Sequence, residues 1–145
     1  MISISHPIIA AVALILGACA SVDGSPVNST AAPVLTAAAF VGTWNLDQVD
    51  DKPIPPRRVT VQFGADRTYV AQVACRDIIG GYTFIQEKLT VGPLRTTHKG
   101  CLTPLAHEEL ITNALLGGPW TVRLGGPDTL RLYGRHQLTL SRVRS

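Results

Sequence analysis

The chain has 145 residues, room for one folded domain and a short extension. Its formal net charge is +3, with 16% charged and 46% hydrophobic residues, a balance that excludes a disordered polyelectrolyte. Apart from the pair Arg57-Arg58 the basic residues stand singly and form no runs, and no stretch has the pattern of a nucleic-acid module, so no nucleic-acid partner is expected.

The N-terminus reads as an export signal. Met1 to Ala18 contains no Asp, Glu, Lys or Arg, and Ile8 to Leu16 is an unbroken apolar run. A membrane-crossing helix needs about 20 apolar residues. This run is too short for that and suits the core of a secretory signal. It leads into Leu16-Gly17-Ala18-Cys19. The tetrapeptide resembles the lipobox of bacterial lipoproteins, although Met1 to Pro7 lacks the Lys or Arg that usually opens such a signal. The resemblance implies a signal peptide over 1–18, diacylglycerol and a fatty acyl chain such as palmitate on Cys19, and a membrane partner through that anchor. Residue 20 is Ala and not the Asp that signals inner-membrane retention. An outer-membrane protein facing the periplasm is therefore expected.

Residues 19–39 read as the lipidated cysteine and a tether. The stretch after Cys19 is rich in Ala, Ser, Pro, Thr and Val, with one acid and no base. A folded domain is expected over 40–145. Val41 to Leu46 reads as a strand with Trp44 and Leu46 on one face. Asp50 to Arg58 is a Pro-rich loop. Short strands follow at Val59–Phe63, Thr68–Ala74, Tyr82–Ile85, Lys88–Val91 and Leu94–Thr97, with turns expected at Gly64-Ala65-Asp66 and Gly80-Gly81. The spacing of Leu105, Leu110, Ile111, Ala114 and Leu115 predicts a helix over Pro104 to Leu116, with Thr103 as N-cap and Gly117-Gly118 ending it. Strands return at Trp120–Leu124, Thr129–Tyr133 and Gln137–Arg142. The expected fold class is α+β: a strongly curled, mostly antiparallel sheet, barrel-like and partly open, with one helix.

The cysteines limit the chemistry. With Cys19 acylated, two of the three remain, Cys75 and Cys101. An even remainder in an exported chain reads as a disulfide. Two readings compete with it. His98, Cys101 and His107 together with Cys75 offer the four ligands of a Cys2His2 zinc site, at a spacing that matches no standard finger. Cys75 as a nucleophile would take His98 as its base and leave Cys101 without a role. There is no Gly-x-Ser-x-Gly and no His-Glu-x-x-His, so no catalytic residue, no metal and no cofactor is expected.

The domain resembles the META, or HslJ-like, family of small bacterial exported proteins. The likeness rests on Gly42-Thr43-Trp44-x-Leu46, Cys75 followed by Gly80-Gly81-Tyr82, and Leu89-x-Val91. It continues with Thr97 shortly before Cys101, Glu108 on the helix, Trp120 opening a strand, and Leu130-x-Leu132 and Leu138-x-Leu140. Two positions depart from the family: Arg76 stands where Asn commonly follows the first cysteine, and Lys99 where Met commonly precedes the second. The resemblance implies an α+β envelope domain with no established enzymatic activity, linked to stress response, drug tolerance and virulence, and similar in fold to lipid-binding secretion pilotins. A monomer is expected that binds an envelope protein, or a hydrophobic small molecule held between helix and sheet. A structural stabiliser of the envelope without a discrete ligand is the second reading.

The C-terminal portion is the more basic. Residues 88–145 carry eight basic residues against three acids. If Arg123, Arg131, Arg135 and Arg142 share a face, that face is expected to attract anionic lipid.

Overall fold

The computed structural model describes residues 34–100, 103 and 105–145. The signal peptide, Cys19, most of the tether, Cys101 and Pro104 lie outside the described residues.

After a single 3-10 turn at Ala37–Ala39, the chain forms β1 (Gly42–Val49), β2 (Lys52–Pro53), β3 (Val59–Phe63), β4 (Thr68–Val73), β5 (Arg76–Ile85), β6 (Lys88–Val91) and β7 (Arg95–His98). Helix α1 (Glu108–Leu116) follows, and then β8 (Trp120–Leu124), β9 (Thr129–Tyr133) and β10 (Gln137–Arg142). Every pairing is antiparallel. The order β10-β9-β8-β6-β5-β4-β3-β1 closes on itself because β10 also pairs with β1, from Trp44↔Arg142 to Val49↔Leu138. The curl read from the sequence thus becomes an eight-strand barrel, with β2 flanking β1 and β7 flanking β5. Closure removes the unpaired edges that an open sheet of this size would expose.

Alternation fills the interior. Val59, Val61 and Phe63, then Tyr69, Ala71 and Val73, then Leu138 and Leu140 all point inward and are buried. On β1 the alternation slips. The register shifts between Leu46 and Gln48, so the buried residues run Trp44, Leu46, Val49. That is a bulge, and the sheet needs such local bends to curl. One end of the barrel is packed by aromatic rings. Phe40 meets Phe63 at 5.3 Å and Phe84 at 4.9 Å between ring centroids, both edge to face.

The opposite end is the less regular. β6 and β8 share only the pairs Lys88↔Thr121 and Leu89↔Trp120. Beyond Val91 the chain continues as β7, which pairs with the first half of β5. Helix α1 packs at this end. Its Ile111, Ala114 and Leu115 are buried, and the Leu115 carbonyl accepts a hydrogen bond from the Tyr69 hydroxyl at 3.0 Å.

Two local expectations are corrected. Gly80-Gly81 is not a turn; both residues lie inside β5, paired with Tyr69 and Thr68. The chain reverses earlier, at Ala74-Cys75, where Ala74 takes a φ of 48° and Val73 pairs with Arg76. Gly80 serves a close approach instead. A Cβ there would run into the Pro93 carbonyl oxygen and lie 2.6 Å from Leu94 Cδ2, where the β6–β7 connection crosses it. The helix also starts later than its apolar spacing suggests, at Glu108 and not Pro104. His107, at the N-cap position, has a φ of 61°, and Leu105 upstream of it is buried outside the helix. A left-handed residue interrupts helical geometry, so the helical run cannot extend back through it. Glu108 and Glu109 lie in its first turn, where carboxylates favour the helix dipole.

Candidate functional site

Where the sequence candidates fall decides which chemistry remains open. Cys75 sits at the tip of the β4–β5 hairpin, nearly buried, and is disulfide-bonded. A sulfur in a disulfide is neither a thiolate ligand nor a nucleophile, so the zinc and nucleophile readings both lose their central residue. Its expected partner, Cys101, is outside the described residues. His98 ends β7, opposite Arg76, and His107 is exposed ahead of α1. Among the described residues no three His, Cys, Asp or Glu side chains converge as a metal site, and no helix is long and apolar enough to cross a membrane.

The basic residues do not form the single face considered above. Arg123 and Arg131 are directly opposite on β8 and β9, on the outer surface, and Arg123 forms an ion pair with Glu87. Arg135 lies in the β9–β10 turn at the helix end. Arg142 shares the inward parity of Leu138 and Leu140 and reaches across the aromatic-packed end. Its guanidinium stacks over Trp44 at 4.3 Å and donates to the carbonyls of Pro127 at 3.1 Å, Val41 at 3.1 Å and Ala39 at 3.0 Å. It is a latch for the N-terminal entry strand, not part of a membrane-facing patch.

The features able to meet a ligand gather around α1. One open groove, of about 510 Å³, runs between α1 and the β5–β7 side and is lined by Arg76, Thr96, His98, Glu109 and Thr112. A second, of about 620 Å³, lies between the C-terminal end of α1 with Gly117-Gly118-Pro119 and the turn carrying Arg135 and His136. Asn113 and Leu116 line both, and Leu116 is 38% exposed.

Each groove adjoins a buried donor that lacks a hydrogen-bond acceptor among the described residues: Arg76 Nε in the first and Trp120 Nε1 beside the second. Glu108 stands 3.7 Å from Arg76 Nε, an ion pair too long for a hydrogen bond. An unmet buried donor costs about 1–3 kcal/mol. Trp44 shows the ordinary arrangement, its indole N–H donating to the Phe40 carbonyl at 2.8 Å.

Beside the second groove, Asp50 holds the turn in place. It accepts from the Gln137 N–H at 2.8 Å and pairs with His136 Nδ1 at 2.6 Å. The His136 contact and then the Gln137 N–H hold the Asp50 carboxyl below its ordinary range. Deep in the barrel, burial pushes the Tyr69 phenol up, so it stays a neutral donor to Leu115.

The sequence reading did not single out Trp120 Nε1, His136 or Asp50 as site residues, and it took Arg135 only as one of four arginines of a basic face. Asp50 and His136 are 86 positions apart. The available signal was slight: a Gly-Arg-His turn between two confidently patterned strands.

The model of the META domain matches residues 37–145, nearly the whole described region. The chain belongs to the META domain family. Solved structures similar to this META protein share its fold. One is a protein from Burkholderia xenovorans determined by NMR, 22% identical with a TM-score of 0.58, covering 97% of this chain and 99% of that one. A second NMR structure is 20% identical with a TM-score of 0.57, covering 74% and 95%. A DUF4847 family protein from Bacteroides vulgatus is 11% identical with a TM-score of 0.53, covering 72% and 94%. No curated protein matches the chain.

Proposed function

We propose that this META protein is a lipid-anchored component of the cell envelope that works by binding an envelope partner, without catalysis, in envelope stress or drug tolerance. The anchor is Cys19, and the membrane is the outer one, with the domain facing the periplasm. The observation that carries the binding reading is the contrast between the two sides of α1. Its inner side, Ile111, Ala114 and Leu115, is packed into the barrel core. Its outer side presents Asn113 and Leu116 between two open grooves. Packing between helix and sheet argues against the hydrophobic ligand considered there and moves the binding surface outside, as in a pilotin-like role toward a protein partner.

The test has two parts. Cys19→Ser in the full chain is expected to leave an uncleaved protein without acyl mass; the same mature mass and membrane retention with either residue would refute the anchor. Crosslinking in intact cells is expected to capture one recurrent envelope partner with the native chain and to lose it with Leu116→Arg. Capture unaffected by Leu116→Arg would remove α1 as the docking surface, and no capture would favour the structural stabiliser.

A further inference from the structure

Strand β7 has one bare edge. It pairs with β5 and with no other strand, and all of its residues, Arg95–His98, are exposed. The ladder fixes which of its main-chain groups are bonded. The Lys99 N–H donates to the Cys75 carbonyl at 2.6 Å, which makes Cys75 and Lys99 a hydrogen-bonded pair. Such pairs alternate along an antiparallel ladder. The next are Asp77↔Thr97 and Ile79↔Arg95, so the N–H and C=O groups of Thr96 and His98 point away from β5. Nothing among the described residues bonds to them. A row of unmet main-chain groups on an exposed edge is a template for one more strand. The other flanking strand, β2, is only Lys52–Pro53, and its proline has no N–H to offer.

The bare edge opens onto the first groove. β7 takes the place of β6 beside the first half of β5, but no strand stands beyond it as β8 stands beyond β6. The groove fills that place, with Thr96 and His98 on one side and Thr112, Asn113 and Leu116 of α1 on the other. Charge selects the occupant. Arg95 and Lys99 lie on the opposite face of β7 from Thr96 and His98. Lys99 is paired with Asp77, whereas Arg95 has no ion pair among the described residues. An acidic side chain on an added strand would match Arg95. A second copy bonded here, Thr96 to His98, would instead set Arg95 directly across from Lys99, and like charges so placed oppose pairing.

We propose that an acidic, extended segment of the envelope partner adds to β7 as an antiparallel strand. It bonds to the main chain of Thr96 and His98, sets a carboxylate beside Arg95, and turns alternate β-branched side chains into the groove toward Asn113 and Leu116. The inference names the chemistry of the partner proposed above and rests on that reading for α1 as one wall of the docking surface.

The probes are blocked peptides of about six residues that alternate threonine with glutamate or threonine with lysine. Each is added at millimolar concentration to the full chain, 15N-labelled and extracted in mild detergent. The threonine–glutamate peptide is expected to shift the Thr96 and His98 amides and to slow their hydrogen exchange at least about ten-fold. The threonine–lysine peptide is expected to bind at least about three-fold more weakly, and Arg95→Glu to reverse that preference. In this register the threonine nitrogens of the peptide face β7, so their N-methylation is expected to abolish binding, and N-methylation of the glutamate nitrogens to leave it. Thr96→Pro removes an outward N–H without touching the β5 ladder and is expected to weaken binding about ten-fold; Arg95→Glu carries the test where that variant does not fold. The proposal is overturned if Thr96 and His98 gain no protection with the threonine–glutamate peptide, if the two N-methylated forms bind alike, or if Arg95→Glu leaves the preference unchanged. Protection that grows with chain concentration in the absence of peptide would place a second copy on the edge and also overturn it. A crosslinked partner lost with Leu116→Arg but kept with Thr96→Pro would remove the added strand and leave the docking surface standing.

Discussion

Arg142→Leu tests whether a charged side chain at an inward position holds the barrel closed. The guanidinium donates to three backbone carbonyls on two segments, Ala39 and Val41 at the N-terminal entry and Pro127 in the β8–β9 connection, and stacks over Trp44. Leucine keeps much of the bulk and removes every donor. A charge-assisted hydrogen bond contributes about 1.5–3 kcal/mol and a partly desolvated cation–π contact about 1 kcal/mol. Full addition would overshoot, because the side chain is 28% exposed and water can reach some of the freed carbonyls. We expect a loss of about 3–4 kcal/mol, which for a domain near this size lowers Tm by about 12–20 °C. Arg142→Lys is expected to recover less than half of it, since an ammonium cannot span the three acceptors. Arg144→Ala is the control: Arg144 pairs with Asp128, which Arg142 Nε also approaches at 4.0 Å, but it is 80% exposed, so the change in stability is expected to be less than about 0.5 kcal/mol. Urea unfolding of the three variants, compared at matched m-value, reads these differences directly. An Arg142→Leu variant within about 1 kcal/mol of the native chain would refute the latch.

Other expectations follow from single contacts. Gly80→Ala is expected to destabilise the domain by about 2–3 kcal/mol through overpacking against the Pro93–Leu94 segment, whereas Gly81→Ala, whose nearest neighbour would be 3.5 Å away, is expected to change it by less than about 1 kcal/mol; equal urea midpoints for the two would contradict the strand placement. Asp50 has a depressed folded pKa, so its contribution to stability is present above the ordinary value of 3.8 and is lost as pH falls through the folded value. Urea midpoints of the native chain and Asp50→Asn should therefore converge as pH is lowered from 5 toward about 2.5, and a constant gap would show that the carboxylate charge is not what holds the turn. Replacing both Cys75 and Cys101 by Ala is expected to cost about 3 kcal/mol by the loop-entropy argument for a loop of roughly 25 residues, with non-reducing peptide mapping to show the pair; a Cys75 peptide crosslinked elsewhere would overturn the assignment.

The elements that sequence patterning placed correctly are those in which a local period reports burial. Val59–Phe63, Lys88–Val91, Trp120–Leu124, Thr129–Tyr133 and Gln137–Arg142 run as strands with the bounds their alternation suggests. Their inward residues belong to one core, as period two requires. The apolar spacing of Ile111, Ala114 and Leu115 likewise revealed the helix and its buried side. The family likeness was also legible, because it lies in the order of such short pieces.

What the sequence could not show depends on residues meeting across the chain. Gly80 looks like a turn residue in isolation, and only the passage of Pro93 and Leu94 over it shows that the missing side chain serves a close approach. Arg142 has the parity of an inward residue, yet its charge argues for the surface until three distant carbonyls and Trp44 are brought around it. The indoles of Trp44 and Trp120 are alike in one dimension. One N–H has the Phe40 carbonyl four residues away, and the other ends beside a groove made by residues far along the chain. Closure of β10 onto β1 decides the meeting at Arg142, and the pairing of β5 with β6 and β7 decides the one at Gly80. A strand's period records which side is buried, but it carries no information about which distant strand will lie against it, and the candidate site exists only where those distant segments come together.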